Sequence, residues 1–154
     1  MHEEHRNRFD QNILMQFRKA LQIALKNPAQ MPFFAKALLN QSTAVTLRKK
    51  HARQGVQVPP LLIISITNRC NLNCRGCYSK VLHNDTVQEF SAARFREILA
   101  EAVELGISTI LLAGGEPLVR RDILDVAASF PQIIFPIFTN AMLMNEDYLS
   151  FFKQ

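Results

Sequence analysis

Three residues able to hold a metal fall within eight positions, Cys70-Asn-Leu-Asn-Cys74-Arg-Gly-Cys77, and they are the only cysteines of a 154-residue chain. Three soft ligands in one loop can hold one face of a metal ion or iron–sulfur cluster and leave the opposite corner open for chemistry. An odd number of thiols at this spacing argues against a disulfide framework and for a reducing compartment, expected to be the cytoplasm. Two other readings stand beside this one. Cysteines also serve as small buried hydrophobes, and the three thiols with His83 would make a zinc set of three cysteines and one histidine. His2 and His5 lie at a terminus, where such residues seldom form a site.

Two further stretches carry groups suited to a ligand. In Gly114-Gly-Glu-Pro117, Gly114 and Gly115 lack side chains, so main-chain amides and carbonyls can approach a ligand closely. A tight turn would use the same glycines. The Glu116 carboxylate suits a cationic amine through a charge-assisted hydrogen bond, or is simply solvated. Thr139-Asn140 is either a polar pair facing a ligand or turn chemistry.

These stretches need elements to position them. Leu61-Leu-Ile-Ile-Ser-Ile-Thr67 is continuous and rich in β-branched residues, which predicts a strand covered on both faces, as in a parallel sheet. A helix follows from Ser91, a plausible N-cap, with Phe90 packing on Phe95 as a hydrophobic staple. Its expected buried stripe is Phe95, Ile98, Leu99, Ala102 and Leu105, and Gly106 closes it. Thr109–Ala113 reads as a second strand. Asp122 is expected to cap a short helix ending near Phe130. Ile133–Phe138 reads as a third strand, and Asn145–Phe152 as another helix. Alternation of this kind predicts parallel strands joined by crossovers. The cysteine loop, Gly114–Pro117 and Thr139–Asn140 then all fall at the C-terminal ends of strands, where functional groups gather in such sheets and barrels.

Before this αβ pattern come two expected amphipathic helices. One spans residues 9–27, with Phe9, Ile13, Phe17, Leu21 and Leu25 one turn apart. The other runs from about Pro32 to Arg53, with Phe33, Phe34, Ala37, Leu38 and Val45 along one face. The division expected is a basic helical extension over 1–58 and a core over 59–154. Residues 1–55 carry ten Lys/Arg against three Asp/Glu, and the remainder eight against ten. Such a basic segment is either a solvated helix face or a surface for nucleic acid or acidic lipid. At 48% hydrophobic residues the chain can bury a core, yet no apolar run approaches the roughly 20 residues of a membrane span. The stretch MHEEHRNRFDQN has no apolar signal core, in keeping with the cytoplasmic expectation.

Cys-x3-Cys-x2-Cys after a first strand, followed by Gly-Gly-Glu-Pro after a second, resembles the radical S-adenosylmethionine (radical SAM) superfamily. The resemblance covers about Ile63 to Asn140. It is closest in flavour to the molybdenum-cofactor, haem-related and peptide-modifying group. It implies that Cys70, Cys74 and Cys77 hold three irons of a 4Fe–4S cluster. S-adenosylmethionine (SAM) would then chelate the fourth iron and be cleaved reductively, giving a 5′-deoxyadenosyl radical that abstracts hydrogen from a substrate. The resemblance also implies that Gly114, Gly115 and Glu116 face the methionine end of SAM and that Thr139 and Asn140 meet its carboxylate or ribose. An external reductant such as ferredoxin or flavodoxin is implied too. One departure is Gly76, where many members carry an aromatic; Tyr78 follows the third cysteine instead and is the aromatic candidate for the cofactor.

The implied fold is α/β, the N-terminal half of a partial (βα)6 barrel, with three parallel strands after the two amphipathic helices. Because only three strands are spelled out, the expectation is a truncated or split product with an unpaired edge, which a second chain could complete. The alternative function is a non-catalytic zinc- or cluster-binding module.

Overall fold

Leu61–Ser65 (β1) and Thr109–Ala113 (β2) pair in parallel, Leu61 opposite Thr109 and Ser65 opposite Ala113. They form the two-stranded sheet of an α/β structure, known from a computed structural model that describes residues 31–81 and 88–153. The helix expected over 9–27, and with it His2, His5 and His83, lies outside the described residues. Residues 40–154 form one compact unit, which carries the sheet and the candidate site; residues 1–39 form another.

Ile133–Phe138 does not form the third strand expected for it. It pairs with β2 through two isolated parallel bridges, Thr109 with Ile134 and Leu112 with Ile137. The hydrogen bonds explain the gap. Ile134 N donates to Ser108 O and Phe138 N to Leu112 O, while Ile110 N and Leu112 N donate back to Ile134 O and Pro136 O. The rung missing from this alternation is the one from residue 136 to Ile110 O. Pro136 has no N–H to donate.

Among the described residues, the helices cover one face of the sheet. Alternation puts Ile110 and Leu112 on the covered face, both fully buried. Leu61 and Ile63 point the other way, and Ile63 is 67% exposed. The covering helices are Ala92–Leu105 (α3) and Arg121–Ala128 (α4), whose Phe95, Leu99, Ile123 and Leu124 join Ile66, Ile110 and Leu112 in the core.

Helix α3 begins as its sequence predicts. The Ser91 hydroxyl accepts from Arg94 N at 3.2 Å, and the Phe90 and Phe95 rings stack at 5.6 Å. It ends at Gly106, whose φ of 83° is left-handed. Phe95, Leu99 and Ala102 are buried as expected, whereas Leu105, the last residue of the helix, is exposed.

Helix Met31–Arg53 (α1) bears out the predicted face only in part, with Ala37 buried and Phe34 half-buried. Phe33, Leu38 and Val45 are exposed, and the buried positions are Ala37 and Ala44. Small residues are needed because the backbones nearly touch: a Cβ on Gly106 would lie 2.6 Å from Ala44 O. The basic end of α1 also finds helix-terminal carbonyls, since Arg48 donates to Gly106 O. Positive charge is favoured at that end of α3.

Asp122 is not the cap of α4. The N-cap position is Arg120, which makes no capping bond with its side chain; Asp122 is drawn into an ion pair with it instead. A single turn, Tyr78–Val81 (α2), follows the cysteine loop. Glu146–Phe151 (α5) closes the order, capped by Asn145 Oδ1, which accepts from Tyr148 N at 3.0 Å.

Candidate functional site: a three-thiol loop at the sheet end

The loop from Ile66 to Cys77 leaves the C-terminal end of β1. Cys70 and Cys74 are exposed, Cys77 is half-buried, and all three are free thiols. They line one cavity of about 290 Å³, together with Asn68, Leu72, Ser79 and Gly115. Leu72 N donates to Cys70 Sγ at 3.4 Å. Among the described residues no three His, Cys, Asp or Glu side chains converge closely enough to hold a single metal ion. A cluster asks for something else, one thiolate on each of three different irons. Three thiols lining a common cavity are compatible with that arrangement.

The Gly-Gly pair serves the chain itself. Beyond β1 and β2 the two backbones stay in contact: Ile66 N donates to Ala113 O, Gly115 N to Thr67 O at 2.8 Å, and Glu116 N to Arg69 O at 2.9 Å. A Cβ on Gly114, at φ 139°, would lie 2.4 Å from Thr67 O; one on Gly115 would lie 2.3 Å from Arg69 O. Only glycines let this loop run against the start of the cysteine loop. Gly115 also borders the thiol cavity, so it touches both.

Glu116 is 1% exposed. Its Oε1 accepts from Leu118 N at 2.9 Å and from the Thr139 hydroxyl at 2.6 Å, and its Oε2 accepts from Asn140 N at 2.8 Å. The carboxylate thus binds the third loop to the second. Asn140 continues the chain of bonds, because its Nδ2 donates to Asn71 Oδ1 at 3.0 Å inside the cysteine loop. Ala141 follows in a left-handed conformation, φ 60°. Its N–H is held by Thr139 Oγ1 and that of Met142 by Asn140 Oδ1. All three loops singled out in the sequence are therefore joined by hydrogen bonds. Tyr78 stands apart, 63% exposed at the start of α2 and outside the cavity wall.

Two residues that sequence reasoning missed hold the loop's base. Arg120, 6% exposed, donates to both oxygens of Asp122 (2.9 and 2.8 Å), to Glu89 Oε2 (3.0 Å), to Ile66 O and to Phe90 O (both 3.2 Å). Glu89 Oε1 in turn accepts from the Thr67 hydroxyl at 2.7 Å and from Asn68 N at 2.8 Å. Burial pushes the Glu89 carboxyl up, but the Thr67 and Asn68 hydrogen bonds and the charges of Arg69 and Arg120 outweigh it and hold it below its ordinary value. The Arg120 hydrogen bond and charge likewise hold Asp122 low against the effect of burial. Glu89 and Arg120 lie 31 positions apart, and nothing local in either stretch announces the pair.

Against known proteins, a family model described as the radical SAM superfamily matches residues 64–154, which is more than half of the chain. Among curated relatives, pre-heme d1 synthase of Dinoroseobacter shibae is 38% identical over 44% of this chain and 17% of its own length. PqqA peptide cyclase of Bradyrhizobium diazoefficiens is 28% identical over 67% of this chain and 28% of its own. A probable GTP 3′,8-cyclase of Methanothermobacter thermautotrophicus is 38% identical over 54% of this chain and 28% of its own. The chain thus spans less than a third of the length of each of these relatives. No solved structure matches it. With a thiol loop, a Gly-Gly-Glu-Pro loop and a family match running through both, the chain belongs to the radical SAM superfamily, whose members use a 4Fe–4S cluster and S-adenosylmethionine.

Proposed function

We propose that Cys70, Cys74 and Cys77 hold a 4Fe–4S cluster, that SAM binds beside it against Gly115, and that the chain takes part in radical chemistry on a substrate. The observation that carries this reading is the cavity of about 290 Å³ walled by all three thiols and Gly115. When bound, the cluster supplies the electron for reductive cleavage of SAM to the hydrogen-abstracting 5′-deoxyadenosyl radical.

The chain's own residues have separable tasks in this reading. The thiolates are the ligands. The Leu72 N–H pointing at Cys70 Sγ withdraws charge from that sulfur and so bears on the potential. Arg69 and Arg75 flank the thiols and offset the negative charge of a thiolate-bound cluster. Gly114 and Gly115 keep that side of the cavity free of side chains. Glu116 sets Thr139 and Asn140, and through Asn140 it reaches Asn71, so its influence on a ligand passes through the third loop. Thr139, Asn140 and the exposed Tyr78 are the groups left to meet the polar and ring portions of SAM.

The parallel sense in which 133–138 pairs with β2 supports reading β1, β2 and this stretch as strands of the family's partial (βα)6 barrel. No helix among the described residues is long and apolar enough to cross a membrane. Free thiols fit a reducing compartment such as the cytoplasm. A one-electron donor of the ferredoxin or flavodoxin kind completes the requirements.

The relatives do not carry a substrate over. Their names point to GTP, to a peptide and to a haem precursor. What such different enzymes share is the cofactor chemistry.

Anaerobic reconstitution with iron and sulfide tests the proposal. It should yield about four irons per chain, a reduced-state EPR signal perturbed by SAM, and 5′-deoxyadenosine once dithionite is added. Each of Cys70→Ala, Cys74→Ala and Cys77→Ala should abolish the signal. One tightly held zinc ion with no response to SAM would sink the reading.

A further inference from the structure

The backbone just before Cys70 is held by an ion-paired hub that none of the recognised motifs contains. The guanidinium of Arg120 has five N–H donors, and all five are used, on Asp122, Glu89 and the carbonyls of Ile66 and Phe90. Three separate segments, at 66–68, 89–90 and 122, are thereby tied to one side chain. Burying such a group is costly, and an apolar residue of similar volume often packs as stably. What an apolar residue lacks is direction. The bonds run to particular backbone atoms at the root of the thiol loop: Ile66 O through Arg120, Asn68 N through Glu89, and Arg69 N through Thr67 Oγ1, which Glu89 itself orients. From Cys70 to Gly76 the loop is exposed. The hub therefore acts at the buried root of the loop, before its exposed stretch begins.

We infer that Arg120 and Glu89 are positioning residues for the metal loop: through Thr67 and Asn68 they fix where Cys70 is presented, and with it the surroundings of a bound cluster. The inference rests on the reading of Cys70–Cys77 as a cluster site. Lysine at 120 cannot replace the fork of donors.

The test uses the full chain and the variants Arg120→Lys, Glu89→Gln, Thr67→Val and Thr67→Ser. Without metal, amide exchange at residues 67–70 should rise about tenfold or more in Glu89→Gln and Arg120→Lys, the loss of charged hydrogen bonds being felt locally. Alkylation of Cys70 by iodoacetamide should change rate more than that of Cys77. After reconstitution, Glu89→Gln and Thr67→Val should shift the midpoint potential and the EPR g-values, and Thr67→Ser, which keeps the hydroxyl, should restore both. A folded Glu89→Gln chain with wild-type exchange at 67–70 and a wild-type potential would overturn the inference. If Arg120→Lys fails to fold, Glu89→Gln and Thr67→Val decide. If the wild-type chain takes up no cluster, the site reading fails on its own, while the exchange experiment still decides whether the hub positions the loop.

Discussion

Gly115 has two neighbours with opposite demands, the Arg69 carbonyl on one side and the thiol cavity on the other. A methyl group there meets backbone at 2.3 Å from Arg69 O and 2.7 Å from Arg69 C, and backbone cannot swing away as a side chain can. Gly115→Ala should therefore cost about 1–3 kcal/mol of stability by overpacking, and it should also lower iron uptake by displacing the root of the thiol loop. Urea unfolding and iron analysis of the same preparation check both halves. Glu116 makes a complementary case. Its carboxylate takes bonds from Leu118, Thr139 and Asn140 with the side chain buried. Glu116→Gln keeps the shape but turns one acceptor into a donor facing N–H or O–H groups. The expected loss is about 1–3 kcal/mol, with faster amide exchange at 139–142 as its local mark.

Among the elements, α3 is the one whose sequence and structure agree most closely. Its cap, its staple and its left-handed stop are all local, set by residues a turn apart, so a single sequence displays them. Phe95 shows how much rests on it. It is fully buried, and its ring both stacks on Phe90 and packs in the core. Phe95→Ala should cost about 3–5 kcal/mol, measurable as a lower denaturation midpoint with unchanged slope. Where local patterns misled, the cause was nonlocal or a single atom. Ile133–Phe138 has the composition of a strand, but Pro136 removes one N–H and leaves two bridges. In α1, Val45 was expected on the packed face, while the approach to Gly106 selected its neighbour Ala44. The thiol loop and Gly-Gly-Glu-Pro were legible because their chemistry is carried by residue type and spacing. The Arg120–Glu89 hub was not, since its bonds reach across 31 and 54 positions.

For the whole molecule, the ion-paired carboxylates of Glu89 and Asp122 set an acid limit. Glu89 and Asp122 bind protons less tightly folded than unfolded, relative to ordinary values of 4.5 and 3.8. Stability from such groups is complete above the ordinary carboxylate range and is lost as pH falls through the lowered folded values. The melting temperature should thus be level from neutral pH down to about 5 and fall below about 4. Glu89→Gln should flatten that fall, and thermal scans across pH in metal-free buffer measure it.

The parity of the thiol loop reaches beyond the molecule. Cys70 and Cys74 stand in solvent and Cys77 half in it. Air oxidation can pair two of them within a chain, and the third then has no partner at home. Its remaining outlet is another copy. Covalent dimers on a non-reducing gel should accumulate in preparations exposed to air, vanish with thiol reductant, and be scarce in chains whose three sulfurs are already engaged. The gel thus becomes a gauge of how fully a preparation is loaded.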